Sequence, residues 1–163
     1  NRSPEITQIL HEIHDVFSGG ITPAILEEKL CQLMEMLIQT HRSLNMEVNK
    51  IPARKMSVRA ELFRRLSIAK DYIETCYNRN ISLSELASTA YLSRHHFLRL
   101  FRSTFGVTPV RYLMNIRLER AKKLLEKSGM SITEIALETG FENPGHFSKV
   151  FKSYYGIPPK QAR

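Results

Sequence analysis

Two sets of mostly polar side chains, spaced three and four residues apart and broken only by Leu98, carry the chemistry of this chain. One is Arg94, His95, Leu98, Arg99 and Arg102; the other is His146, Ser148, Lys149 and Lys152. At helical periodicity His95, Leu98, Arg99 and Arg102 fall on one face with Arg94 at the helix start, and Ser148, Lys149 and Lys152 fall on another with His146 beside them. Arginine supplies a planar, permanently charged pair of donors, lysine a point charge, and serine and histidine short-range donors and acceptors. That combination suits the edges of nucleobases and the oxygens of phosphates. Arg99 is placed for a paired contact to guanine, while Leu98 either touches a thymine methyl or is an ordinary exposed leucine. Arg94, His95, Leu98, Arg99, His146, Ser148 and Lys149 are therefore the expected base-reading residues. Arg102 and Lys152, a turn further along, are expected to meet phosphates; Ser93 and Asn143 are caps first, and the backbone N–H groups at the helix N-termini they cap also receive phosphates.

These side chains need rigid supports. Ser131–Gly156 begins with a helix whose N-cap is Ser131, with Glu134 three residues on and Ile132, Ile135 and Ala136 on one face. Gly140 offers the left-handed conformation of a tight turn. A second helix starts at Asn143 and Pro144 and runs to about Tyr155, with Phe147, Val150, Phe151 and Tyr154 expected to face inward. Its other face carries Gly145, Ser148, Lys149 and Lys152. Two short helices, a tight turn and an outward basic stripe describe a helix-turn-helix.

The same unit occurs twice. Leu86-Ala87 corresponds to Ile135-Ala136 at an offset of 49, and Phe97, Phe101, Gly106 and Pro109 to Phe147, Phe151, Gly156 and Pro159 at an offset of 50. The one-residue slip falls in the turn. In the first unit Ser93 caps the second helix, whose inner face is Phe97, Leu100, Phe101 and Phe105. Between the units a helix opens at Thr108-Pro109 and stops at Gly129. Its length of roughly 30 Å comes close to the roughly 34 Å between successive major-groove faces of B-DNA. In this helix Arg117 and Arg120 are expected to pair with neighbouring Glu119 and Glu126 in preference to contacting a nucleic-acid backbone.

Ahead of the repeat, Ser57 opens a helix to about Tyr77 with Leu62, Leu66, Ala69, Ile73 and Cys76 inward. Residues 45–56 lack periodicity and contain Pro52; 51–56 are read as a linker. Further back, Ser3-Pro4 opens a helix with Ile6, Ile9, Leu10, Ile13, Val16 and Phe17 on one stripe, ended by Gly19-Gly20. Thr22-Pro23 opens another, with Leu26, Leu30, Leu33, Met34 and Leu37. The pair forms a helical hairpin over 1–50. It cannot hide both stripes alone and needs a partner, whether another copy of the chain, the basic part or a further domain; residues 1–45 are expected to dimerise, the plainer alternative being that they pack on the rest of this chain.

Charge separates the two parts. The chain has 24 Lys+Arg and 16 Asp+Glu, net +8, with a pI near 9.7. Residues 1–56 hold 6 basic and 7 acidic side chains, and residues 57–163 hold 18 and 9. The basic surplus therefore sits with the repeat and weighs against a module that binds only other proteins. Cys31 and Cys76 are expected to be buried free thiols. His11 and His14, with no further ligand at metal spacing, read as a solvated helix face. No paired acid and base, nucleophile or cysteine cluster suggests an enzyme, no cofactor is called for, and no apolar run is long enough for a membrane span.

The stretches ELFRRLSIAKDYI, LSELASTAYLSRHHFLRLFRSTFGVTPVRYL, RLERAKKLL and ITEIALETGFENPGHFSKVFKSYYGIPP closely resemble the AraC/XylS family of bacterial transcription regulators, over about residues 58–163. The resemblance implies an all-α domain of seven helices, two helix-turn-helix subdomains on a long linker helix, inserted into successive major grooves of double-stranded DNA. It implies a cytoplasmic, nucleoid-associated regulator, activator or repressor, for which RNA polymerase is a further partner. Residues 1–50 are similar to the helical connector that follows an effector-binding barrel in many members. With a first residue of Asn1, the expectation is a fragment without that domain. Ala162 stands where the family commonly has Tyr, and Gly145 where it often has a base-reading side chain.

Overall fold

The computed structural model describes residues 4–19, 23–53 and 55–163. It divides into two compact units, Asn1–Asn49 and Lys50–Arg163. Every regular element among the described residues is helical.

In the first unit α1 (Pro4–Gly19) and α2 (Pro23–Asn49) pack on each other. The expected signals Ser3, Gly20 and Thr22 lie outside the described residues, as do the side chains of Ile6, Val16 and Phe17. Lys29 donates to Glu12 at 2.6 Å across the pair. Ile9, Ile13, Leu26, Leu33 and Met36 are half-buried, whereas Leu10, Leu30, Met34 and Leu37 stay 44–61% exposed. One helix can cover only a narrow stripe of another. The buried thiol expected at Cys31 is corrected for that reason: Cys31 is exposed, two residues from both Lys29 and Leu33, and so on the far side of α2. Cys76 is only half-buried.

Helix α2 also runs through 45–49, where no periodicity was expected, because nothing breaks it before Pro52 disfavours the helical conformation at Ile51. Residues 51–56 do more than connect. Ile51 is 1% exposed and belongs to a core of the second unit.

That second unit holds α3 (Met56–Cys76), α4 (Leu83–Thr89), α5 (Arg94–Phe105), α6 (Pro109–Lys127), α7 (Ile132–Glu138), α8 (Pro144–Tyr155) and a 3-10 turn (Pro159–Gln161). The turn takes the place of the seventh helix. Pro159 in it is buried, Ala162 packs against the neighbouring core, and Arg163 donates to the Met130 carbonyl.

There are two cores, and α6 belongs to both. Leu66, Ala69 and Ile73 of α3, Leu86 and Ala87 of α4, Phe97, Leu100 and Phe101 of α5 and Leu113 of α6 close the first. Leu118, Ala121 and Leu125 of α6 close the second with Ile135, Ala136, Phe141, Phe147 and Phe151. The internal repeat survives as geometry. Ring centroids lie 5.5 Å apart for Phe97–Phe101 and for Phe147–Phe151. They lie 4.7 Å apart for Phe101–Phe105 and for Phe151–Tyr155. The inward tyrosine of α8 is therefore Tyr155, the counterpart of Phe105; Tyr154, expected inward, is 44% exposed.

The turns explain the one-residue slip. Leu92 N–H donates to the Ala87 carbonyl and Phe141 N–H to the Ala136 carbonyl, both at 2.9 Å. Tyr91 (φ 53°) stands where the second unit has Gly140 (φ 85°). The units stay in register up to Leu92 and Phe141, and Glu142 is the residue added before the second cap.

Candidate nucleic-acid interface

Each second helix is set by its cap. Ser93 Oγ accepts from the His96 N–H at 3.4 Å, and Asn143 Oδ1 accepts from Gly145 and His146 N–H at 2.8 and 3.1 Å. Ser131 and Glu134 complete a reciprocal capping box at α7, and the bond that the carboxylate accepts from the Ser131 N–H holds the Glu134 carboxyl below the usual range. A side chain oxygen on two N–H groups leaves less of the α8 N-terminus for an outside anion than α5 retains.

On α5, Arg94, His95, Arg99 and Arg102 are exposed and Leu98 is half-buried. His95, Leu98, Arg99, Arg102, Ser103 and Thr108 frame an open cleft of about 510 Å³. None of these charged groups is tied up in an ion pair among the described residues. On α8, His146, Lys149 and Lys152 are exposed, with His146 6.2 Å from the Phe141 ring. Ser148 is half-buried, and its hydroxyl donates to the Pro144 carbonyl at 3.0 Å. It keeps acceptor capacity only. Gly145 has a local reason to lack a side chain: a Cβ there would come within 3.1 Å of Asn143 Oδ1 and crowd the cap.

The support between the two faces is α6, nineteen residues and so about 28 Å long. Its Thr108 cap accepts from the Arg111 N–H at 3.3 Å. The pairing expected for Arg117 is corrected. Its Nε donates to the Tyr77 carbonyl at 2.7 Å and its Nη2 to the Arg79 carbonyl at 2.8 Å. Burial draws its guanidinium below the ordinary value, and the Glu142 charge opposes that shift. Arg120 lies 5.5 Å from the Tyr77 ring, while Glu126 pairs with Lys122. Sequence spacing favours near neighbours on the same helix, whereas both arginines reach across to the end of α3.

Among the described residues no cluster of His, Cys, Asp and Glu could hold a metal, and no helix is long and apolar enough to cross a membrane.

Two capped helices with basic outer faces on one shared spacer helix define a double helix-turn-helix DNA-binding class, and the comparisons agree. A family model described as a helix-turn-helix domain matches residues 86–163. An uncharacterised HTH-type transcriptional regulator of Haemophilus influenzae is 43% identical over 50% of this chain and 27% of its own length. The crystal structure of an AraC-type transcriptional regulator from Chromobacterium violaceum is 31% identical, with a TM-score of 0.58, over 61% of this chain and 89% of that one. The DNA-binding domain of AdpA, solved in complex with a target DNA, is 31% identical, with a TM-score of 0.57, over 59% of this chain and 86% of that one. The chain belongs to the AraC/XylS family of helix-turn-helix transcription regulators. It spans between 21% and 48% of the length of the curated relatives it matches.

Proposed function

We propose that residues 57–163 bind duplex DNA sequence-specifically through two adjacent major grooves, α5 entering one and α8 the next, and that the protein regulates transcription, as activator or repressor, by occupying its site. The observation that carries this is the pair of outward basic helix faces on the two ends of α6, in the same family as a domain solved on its target DNA. In this reading Arg94, His95, Leu98, Arg99, His146, Ser148 and Lys149 read bases. Ser93, Arg102, Asn143 and Lys152 hold phosphates and set the register. The exposed α5 arginines and the back-bonded Ser148 make the first helix the stronger reader. The protein acts at the chromosome, and RNA polymerase is the partner that such occupancy helps or hinders.

Selection of bound duplexes from a random pool, followed by footprinting, tests this. Two protected patches about one helical turn (~10 bp) apart on one DNA face are expected. Absence of any enriched sequence overturns the reading.

We further propose that residues 1–45 pair two copies of the chain. The support is Leu10, Leu30, Met34 and Leu37, which α1 and α2 leave 44–61% exposed. Sedimentation showing a monomer at tens of micromolar with both helices intact would sink this.

A further inference from the structure

We infer that Arg117 is a positioning residue that locks the two reading helices at one mutual angle and so sets the base-pair spacing the protein accepts. The inference rests on the proposal that both helices enter DNA.

Three segments converge on this side chain. The first is the end of α3, whose Tyr77 and Arg79 carbonyls accept from Nε and Nη2 at 2.7 and 2.8 Å. The second is α6 itself, which carries Arg117 between Leu113 of the first core and Leu118 of the second. The third is the turn before α8: the Phe141 ring centroid lies 5.9 Å from the guanidinium carbon. A Cβ on Gly140 would come within 3.0 Å of Nη2 and within 2.9 Å of the Asn78 backbone. Residues 77–79 belong to the first reading unit and Gly140-Phe141 to the second.

The chemistry suits a clamp. A guanidinium is a rigid fork, so two bonds from adjacent nitrogens fix an orientation as well as a distance. Its acceptors lie just past a helix C-terminus, where partial negative charge favours a cation. Each core holds one unit to its own half of α6; what remains soft is the bend of α6 between them. Bending α6 by about 15° at its middle, on a lever of about 14 Å, moves the far helix by about 3.7 Å, against roughly 3.4 Å per base-pair step. A clamp of this kind therefore decides whether a site lengthened by one base pair is tolerated.

The test uses the full chain and a selected two-patch site, with the spacer between patches changed by plus or minus one base pair. The wild type is expected to lose at least tenfold in affinity for either change. Arg117→Met keeps the stem and loses both donors, and the spacer penalty should shrink to under threefold. Arg117→Lys, which keeps the charge but not the fork, should fall between, and it carries the test if the Met variant does not fold. An unchanged spacer penalty in a folded variant overturns the clamp, even if thermal stability drops. If the wild type yields no two-patch site, the proposal that both helices read DNA is what fails.

Discussion

Replacing Gly140 with alanine should damage this fold far more than the same change at Gly156, although both glycines have left-handed backbones. Gly140 has φ 85° and Gly156 has φ 79°, so an L side chain costs about 1–2 kcal/mol at either. They differ in what a Cβ would meet. At Gly156 nothing lies within 4 Å. At Gly140 the new methyl would sit 2.9 Å from Asn78 Cα, 2.9 Å from Asn78 O and 3.0 Å from Arg117 Nη2. The Asn78 backbone cannot retreat freely, because the carbonyls on either side of it, Tyr77 and Arg79, are both bonded to Arg117. Overpacking of this kind costs about 1–3 kcal/mol. The expected losses are therefore about 1–2 kcal/mol for Gly156→Ala and about 2–5 kcal/mol for Gly140→Ala. Urea unfolding of both variants, followed by far-UV circular dichroism, measures them side by side. Equal losses would refute the close approach between the end of α3 and the turn before α8. A loss of spacing selectivity in Gly140→Ala, over and above the stability change, would connect the same contact to DNA reading.

Arg99→Ala should weaken binding to a selected site by about 1–3 kcal/mol and relax preference at one base position; uniform weakening on all sequences, read by competition binding, would assign Arg99 to phosphate alone. Tyr91→Gly should raise stability by roughly 0.5–1 kcal/mol in thermal unfolding. It removes a left-handed cost of about 1–2 kcal/mol against an unfolded-chain entropy of about 0.4–1 kcal/mol, and Tyr91 is 81% exposed with little packing to lose. Glu61 takes hydrogen bonds from Arg64 and Arg65 that lower its carboxyl to about 2. A carboxyl lowered by folding stabilises above its unfolded value near 4.5 and loses that contribution as pH falls toward 2. Glu61→Gln should therefore flatten the acid limb of the stability profile between those values and leave neutral-pH binding unchanged; an identical acid limb would show that the pairs contribute nothing in solution.

Much of the frame was legible because short-range chemistry decides it. Ser93, Thr108, Ser131 and Asn143 all accept the N–H groups that their positions imply. The exposure of Arg94, His95, Arg99 and Arg102 follows from the phase of Phe97 and Phe101 on the opposite side of α5. Adjacent tyrosines at the last turn of α8 were harder, since a helical wheel centred on Phe147 and Phe151 favours Tyr154 over Tyr155, which lies about 100° from it. The internal repeat resolves it, because Phe105 maps onto Tyr155. Arg117 was out of reach, as its acceptors are backbone carbonyls some forty residues away, to which no residue type points. Cys31 failed for another reason: an apolar neighbourhood in sequence does not say how wide a stripe a single packed helix will cover.

The spacer helix α6 has a consequence for how such a chain can change over generations. Its exposed positions, such as Lys123 and Lys127, can exchange freely. Its length cannot. One inserted residue advances the second unit by about 1.5 Å and swings it by about 100° around the axis, which would turn α8 away from the groove proposed for it. Between Pro109 and Lys127 descendants should thus accumulate substitutions but almost no gaps, the reverse of the Tyr91–Ser93 and Gly140–Asn143 turns, where a one-residue difference is already on record inside this one chain.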